Sequence, residues 1–240
     1  MFLFYSPNIN IEHFLSEEES SHCVRVLRLG KGDNILLTDG RGTTYDAIIT
    51  NPNPRHCEFD IISSEQQRKT WNYNLHIAIA PTKNIDRLEW MVEKCTEIGI
   101  DEITPLLCRF SERKIVNLER LERVMISAAK QSLKAYMPKL NPLTDYNAFI
   151  NQATEQQRFI AHCYKEDKTQ LVNAAKLSND GNNSILILIG PEGDFSEQEV
   201  DDALRLGFQP VALGNERLRT ETAGIAACHT IAVLNNMLQQ

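Results

Sequence analysis

The sequence predicts an α/β protein in two parts: a small N-terminal β-barrel over residues 1–70, and a larger domain over residues 71–240 built on a parallel sheet with helices on both faces. Three observations carry that expectation. The first 70 residues read as short strands and turns interrupted by one helix. From Trp71 onward, apolar runs of strand length alternate with segments of helical periodicity, which is the pattern of a covered parallel sheet. Between the two regimes lies a polar stretch, Gln66 to Thr70, suited to a domain boundary.

In the first part, Ser16-Glu17-Glu18-Glu19 forms a capping box that should start a helix toward Leu27. Asn34 to Thr38 is strand-like and leads into Asp39-Gly40-Arg41-Gly42, a strong turn signal; Thr43 to Thr50 and Cys57 to Ile62 follow as strands. In the second part, Leu75 to Ala80 is a short apolar strand. Ile85, Leu88, Met91, Val92, Cys95 and Ile98 then recur at helical spacing up to Gly99, a C-terminal stop. Ile103 to Leu107 is the next strand, and Leu118, Leu121, Met125, Ala128 and Ser132 mark a helix face that ends before Pro138. Arg158 to Cys163 and the fully apolar Ile185 to Ile189 are strands. Ser196 and Glu199 form a second capping box, Gly207 follows that helix, and Pro210 to Leu213 is a strand before a final helix to about Leu238.

Composition narrows the class. No apolar run approaches the roughly 20 residues that cross a bilayer, and the start, Met1 to Tyr5, lacks a basic region and is broken at Pro7, unlike a signal peptide. Six cysteines are scattered without a C-x-x-C pair, against a disulfide framework or a zinc module; a reducing cytoplasm and no bound metal are expected. The net charge of -7 does not advertise a nucleic-acid binder. Residues 108 to 139, however, hold eight Lys or Arg against three Glu, so any RNA contact should be a focused patch. An ordinary solvated helix face fits the same charges.

Open parallel sheets bind ligands in loops beyond the carboxyl ends of their strands. Two such loops stand out: Gly190-Pro191-Glu192-Gly193 after Ile189, and Gly214-Asn215-Glu216-Arg217 after Leu213. Glycine there permits close backbone approach or positive φ, although plain strand-to-helix turns have the same look. Neither G-x-G-x-x-G nor G-x-x-x-x-G-K-[ST] occurs at these loops, which removes the main support for a dinucleotide or P-loop site. Glu192, Asp194, Glu216 and Glu221 would repel phosphates but tolerate a cationic, hydroxyl-rich ligand such as a sulfonium compound with a ribose. The last helix begins in Leu218 to Cys228, whose small residues suit close approach of a loop folded over a ligand or of a second subunit, and plain helix propensity also explains the alanines.

Leu188 to Ser196 and Leu213 to Ala223 resemble the two signature segments of the RsmE family, small-subunit rRNA uracil-N3-methyltransferases of the SPOUT superfamily. The likeness extends to His22-Cys23-Val24-Arg25-Val26-Leu27-Arg28, to Lys94-Cys95-Thr96-Glu97-Ile98-Gly99 with Ile103-Thr104-Pro105, and to Ala128-Ala129-Lys130-Gln131-Ser132. The resemblance implies a PUA-like N-terminal barrel and a SPOUT α/β domain tied in a trefoil knot, working as a homodimer. It implies methylation of N3 of the uridine at position 1498 of 16S rRNA, in bacterial numbering, from S-adenosylmethionine. Carried over, the donor contacts fall on Ile189, Gly190, Glu192, Gly193, Leu213, Gly214, Leu218, Thr222 and Ala223. Three positions depart from the family. Asp194 replaces the second glycine of a G-P-E-G-G loop, whose positive φ costs an L residue energy; Glu216 stands where an Arg is usual; and Leu3 lies near the place of a missing N-terminal Arg.

Uracil N3 carries an imide proton, so a cation near O2 or O4 would stabilise the developing anion. Arg219 is assigned that role. Glu221 could accept the proton, or could serve the donor or the helix N-terminus. RNA contacts are expected from Arg25, Arg28, Lys31 and Arg41 in the first part and from Arg109, Lys130 and Lys134 in the second. Two alternatives stay open: a SPOUT enzyme acting on another base or a ribose 2′-OH, and a non-catalytic RNA-binding or assembly module.

Overall fold

Alternating burial along a few short strands builds the first of two units, Met1–Thr70 with Ile126–Met137. The structure, a computed structural model, describes residues 2–165, 168–179, 181 and 183–239. Among them, β1 (Leu3–Tyr5), β2 (Asn34–Thr38), β3 (Thr43–Asn51) and β4 (Glu58–Gln66) pair in that order, β1 with β2 parallel and the rest antiparallel. Every second residue of β3 is buried, so Tyr45, Ala47 and Ile49 join Ile35, Leu37 and Phe59 in one core. The β2–β3 hairpin closes on Asp39, whose Oδ1 accepts from the N–H groups of Arg41 at 2.7 Å and Thr43 at 3.1 Å.

Helix α1 (Glu17–Ser21) starts on Ser16, whose hydroxyl accepts the Glu19 N–H as the sequence predicts. The return half of that capping box does not form. The Glu19 carboxylate instead accepts from Lys130 Nζ at 2.6 and 2.8 Å, and Lys130 lies over the Phe4 ring. Burial pushes the Glu19 carboxyl above its usual range against the pull of Lys130. After α1 the chain widens into a π-helical turn, His22–Val26, and Arg28 then takes a left-handed φ of 58°.

Residues 126–137 join this unit through their backbone. Gly42 N–H donates to Ala135 O at 3.0 Å, Met137 N–H to Gly40 O at 2.9 Å, and Thr38 Oγ1 to Ala135 O at 3.0 Å. The expected helix face from Leu118 to Ser132 therefore stops at Gln131 and turns into this pairing, which no apolar periodicity announces.

The second unit is Trp71–Met125 with Pro138–Gln240. Its elements run β5 (Asn74–Ile79), α2 (Ile85–Ile98), β6 (Glu102–Leu107), α3 (Leu118–Gln131, shared with the first unit), β7 (Lys139–Leu140), β8 (Thr144–Asp145) and α4 (Tyr146–Ile150). There follow β9 (Gln157–Ala161), β10 (Thr169–Gln170), α5 (Leu171–Ala174), β11 (Ser184–Ile189), α6 (Glu197–Arg205), β12 (Gln209–Ala212) and α7 (Thr220–Leu238). Among the described residues eight strands form one sheet in the order β10-β12-β9-β11-β5-β6-β7, with β8 beside β6, and every pairing is parallel. Strand β11 is apolar on both faces because both are covered. Ile185 and Ile187 pack with Met91, Ala227 and Ile231 of α2 and α7; Leu186 and Leu188 pack with Tyr146, Phe195 and Val200.

The mixed α/β architecture and the long elements match expectation, including the complete Ser196–Glu199 capping box. Elements of two to five residues (β7, β8, β10, α4, α5) escape it, since they are too short to show a period. Gly224, one of the small residues of α7, packs tightly within the unit. A Cβ there would lie 3.0 Å from Met91 Cγ and 3.1 Å from Ile79 Cδ1, so the glycine lets α7 settle on α2 and β5. Among the described residues no helix is long and apolar enough to cross a membrane.

The Glu19–Lys130 pair gives a direct test. Lys130→Met should destabilise the protein by about 3 kcal/mol, because it strands a buried carboxylate, whereas Lys130→Met with Glu19→Leu should stay within about 1 kcal/mol of the parent. Urea unfolding of both variants decides; a single variant as stable as the parent would show the pair to be solvated.

Candidate active site

The strand order β12-β9-β11-β5 sets four parallel strands side by side, so the loops that leave them gather at one edge of the sheet. Two adjoining cavities open there. One, of about 320 Å³, is lined by Ile189, Gly190, Pro191, Glu192, Asp194, Arg219 and Thr220; the other, of about 390 Å³, by His162, Lys168, Val211, Ala212, Leu213, Gly214, Asn215 and Glu216. Ala161, Cys163, Arg217, Leu218 and Ala223 line both, so the two form one cleft.

The two glycines act differently. At Gly190 a Cβ would sit 3.0 Å from the Phe195 ring and 3.1 Å from the Phe195 backbone nitrogen, so the position is closed to a side chain. Gly214 has open space around it but a φ of 137°, which L residues avoid.

Side chains tie the loops to one another. Glu192 Oε1 accepts the Lys83 N–H at 2.8 Å, and the Arg113 guanidinium donates to Thr82 O at 3.1 Å and Lys83 O at 2.7 Å. Thr220 Oγ1, at the start of α7, donates to Gly190 O at 3.1 Å. Asp194 Oδ2 accepts the Cys163 N–H at 2.7 Å, and Tyr164 Oη donates to Phe195 O at 2.8 Å. Asp194 keeps the left-handed turn of the glycine it replaces, with φ 67°. Burial, then the Asp194 carboxylate, pushes the Cys163 thiol above its usual range.

Of the expected donor contacts, Ile189, Gly190, Glu192, Leu213, Gly214, Leu218 and Ala223 line the cleft, and Gly193 and Thr222 do not. The missing Cβ of Gly193 makes room for Phe110 instead, 3.3 Å from that position. Arg219, the N-cap of α7, is exposed at the edge of the first cavity. Glu221, expected as a proton acceptor or as a residue of the helix N-terminus, lines neither cavity. It is 5% exposed, Oε1 lies 3.9 Å from Arg87 Nε, and Oε2 has no hydrogen-bond partner among the described residues. It lies in the first turn of α7, where the helix dipole favours an acidic residue. The wall formed by Ala161, Cys163 and Lys168 was not foreseen. The rule that ligands sit beyond strand ends applies to β9 as well, but only the strand order reveals that β9 is the neighbour of β11.

Among the expected RNA contacts in the first unit, Arg25, Arg28 and Lys31 are exposed on one short segment around the π-helical turn. Arg41 is exposed too, with Nη2 donating to Pro7 O at 3.0 Å. Lys134 is half-buried. Lys130 is a correction: its ammonium is spent on Glu19, with the side chain 17% exposed. In the second unit Arg109 is exposed, its guanidinium 6.0 Å from the Phe110 ring centroid.

A third cavity, of about 460 Å³, lies toward the other end of the sheet. Asn141 Nδ2 donates to Thr104 Oγ1 at 2.7 Å, Thr104 Oγ1 and His76 Nε2 share a hydrogen bond at 2.7 Å, and His76 Nδ1–H donates to Glu155 Oε1 at 2.8 Å. Asn141 and Lys139 also donate to Glu102 Oε1. Burial raises both carboxyls, but these bonds outweigh it and hold Glu102 and Glu155 below the usual range. The polar groups of this cavity are thus bonded mainly to one another. Among the described residues no three His, Cys, Asp or Glu gather to hold a metal ion.

Residues 69–232 match the RNA methyltransferase domain family, and residues 15–62 the RNA methyltransferase PUA domain. The chain is 27% identical over 230 residues to the ribosomal RNA small subunit methyltransferase E of Synechocystis, covering 94% of this chain and 73% of that protein. A crystal structure from Porphyromonas gingivalis, described as a probable rRNA-methyltransferase, superposes with a TM-score of 0.92 at 41% identity, covering 99% of this chain and all of that one. The ribosomal RNA small subunit methyltransferase E of Neisseria gonorrhoeae, solved bound to S-adenosyl methionine, superposes with a TM-score of 0.82 at 28% identity, covering 98% of each chain.

Gly190→Ala tests the close approach that shapes the cleft. The added methyl meets a backbone nitrogen as well as a ring, so it should lower stability by about 1–3 kcal/mol. Thermal unfolding measures this, and an unchanged midpoint would mean that the loop yields freely.

Proposed function

The chain belongs to the RNA methyltransferase family, and from that membership we propose that it transfers a methyl group from S-adenosylmethionine to N3 of a uridine in 16S rRNA of the small ribosomal subunit. The observation that carries this reading is the cleft itself, where the loops bearing Gly190 and Gly214 meet and Arg219 stands at the rim. Its walls suit such a donor: Ile189, Leu213, Leu218 and Ala223 are apolar, while Glu192 and Glu216 bring the negative charge that a cationic ligand needs.

When bound, S-adenosylmethionine supplies an electrophilic methyl group on a sulfonium. Gly214, with open space around it, lets the main chain approach the donor, while Gly190 leaves room for Phe195 to pack against the first loop. Glu192, Asp194 and Thr220 hold the loops in place, so that donor and base meet in a fixed geometry. The Arg219 guanidinium stabilises the anion that forms on the uracil carbonyl oxygens as N3 gives up its proton to water, and the N3 lone pair then takes the methyl group as the C–S bond breaks. Glu221 is assigned to the charge balance of α7.

The proposed arrangement is a PUA-like barrel over residues 1–70 that holds rRNA, followed by a SPOUT domain over residues 71–240 with a trefoil knot, acting as a cytoplasmic homodimer. The PUA match over residues 15–62 supports the first part, and the Thr220–Gly190 contact, which ties the first glycine loop to the start of α7, supports the second. Arg25, Arg28, Lys31, Arg41, Lys134 and Arg109 are proposed as RNA contacts. The π-helical turn and the left-handed Arg28 favour the first two, since such irregular backbone is common at functional positions.

Nucleoside mass spectrometry of 16S rRNA incubated with the protein and donor should show 3-methyluridine. A 2′-O-methyl product would place it among ribose methyltransferases, and absence of donor binding would make it a binding module. Arg219→Ala should lower turnover about 100-fold while calorimetric donor affinity stays within about twofold; equal loss of both would move Arg219 into the donor-binding shell. RNA affinity should fall with salt at a log–log slope of roughly −4, as six phosphate contacts to single-stranded RNA imply. A flat response would withdraw the basic residues.

A further inference from the structure

We propose that Asp194 is a positioning residue for the methyl donor, its side chain clamping the loop after β11 to the loop after β9 across the donor cleft. The inference rests on the donor reading above and on three features of this chain. First, the register of β9 with β11 ends at the pair Ala161–Ile189, and beyond it the two chains diverge around the cleft. Asp194 Oδ2 takes up the Cys163 N–H at 2.7 Å and so adds one side-chain bond beyond the end of that ladder. Second, both ends of the bond belong to the wall: Asp194 lines the first cavity and Cys163 lines both. Third, Asp194 holds φ 67°, with its N–H on Pro191 O at 2.8 Å and its Oδ1 accepting the Phe195 N–H at 2.8 Å. Glycine would make that turn without strain but could not reach Cys163. Asp and Asn are the residues that both tolerate the left-handed region and carry a short acceptor.

A charged acceptor on a backbone amide is among the stronger hydrogen bonds, and this one fixes the distance between two walls without touching the reacting atoms. Its loss should therefore widen the cleft and weaken donor binding, with the chemical step left as it is. Asp194→Gly restores an unstrained turn and removes the clamp; Asp194→Asn keeps one acceptor for Cys163 and removes the charge.

The test uses the full-length protein. Calorimetry with S-adenosylmethionine should give a dissociation constant about tenfold higher for Asp194→Gly, as expected for a lost charge-assisted bond, and within about threefold of the parent for Asp194→Asn. Saturating donor should bring the kcat of Asp194→Gly to within about twofold of the parent, so that the defect appears in KM. Amide hydrogen exchange, read without any donor, should quicken at Cys163 at least tenfold in Asp194→Gly. Parent-like donor affinity in Asp194→Gly would overturn the proposal, as would equal weakening in both variants, which would assign the effect to charge alone. If the parent itself bound no donor, the methyltransferase reading would fall, while the exchange rate at Cys163 would still report whether the clamp exists.

Discussion

Strand β11 pairs along its length with β5 on one side and β9 on the other, and the second unit depends on that double ladder. A strand flanked on both edges and covered on both faces can carry only apolar side chains, which is why Ile185 to Ile189 is an unbroken apolar run. The same ladder makes the strands parallel, so the loops that follow β5, β9, β11 and β12 emerge at one edge. The cleft is the consequence: four connections that are distant in sequence share one rim.

A rim of loops becomes a cleft of defined shape only if the loops are held. Here polar side chains do this. Glu192 grips the chain at Lys83, Arg113 takes the carbonyls of Thr82 and Lys83, Thr220 reaches Gly190, and Asp194 reaches Cys163. Residues that look like ligand contacts by type thus serve partly to fix the backbone, and a buried carboxylate such as Glu221 lies outside the cleft altogether. In the first unit Lys130 belongs to a basic stretch but is withdrawn into a pair with Glu19. Charge read along a chain counts side chains; which of them face solvent depends on what folds against them.

Much of the fold was readable because the long elements have a period. The α2 positions from Ile85 to Ile98 and the apolar β11 announce their environment directly, and the Ser196–Glu199 box marks the start of α6 through local hydrogen bonds alone. The glycine loops were readable because they follow such strands. The backbone pairing of residues 135–137 with the β2–β3 hairpin was not, since main-chain hydrogen bonds are blind to side-chain type. Asp194 shows the same limit. Its replacement of a glycine suggested a lost left-handed turn, yet the turn persists because a bond to Cys163, 31 residues away, helps to hold it.

By itself the sequence determined the class of fold, the two glycine-bearing loops and the kind of ligand that their charges tolerate, all properties of local pattern and composition. Tertiary structure alone decided that β9 lies beside β11, that Cys163 and Lys168 complete the cleft, that Arg219 faces it and Glu221 does not, and that Lys130 is spent on Glu19. The physical reason is that strand order and side-chain pairing are set by burial and hydrogen bonding between segments far apart in the chain. A one-dimensional pattern carries the period of each segment but not its partner.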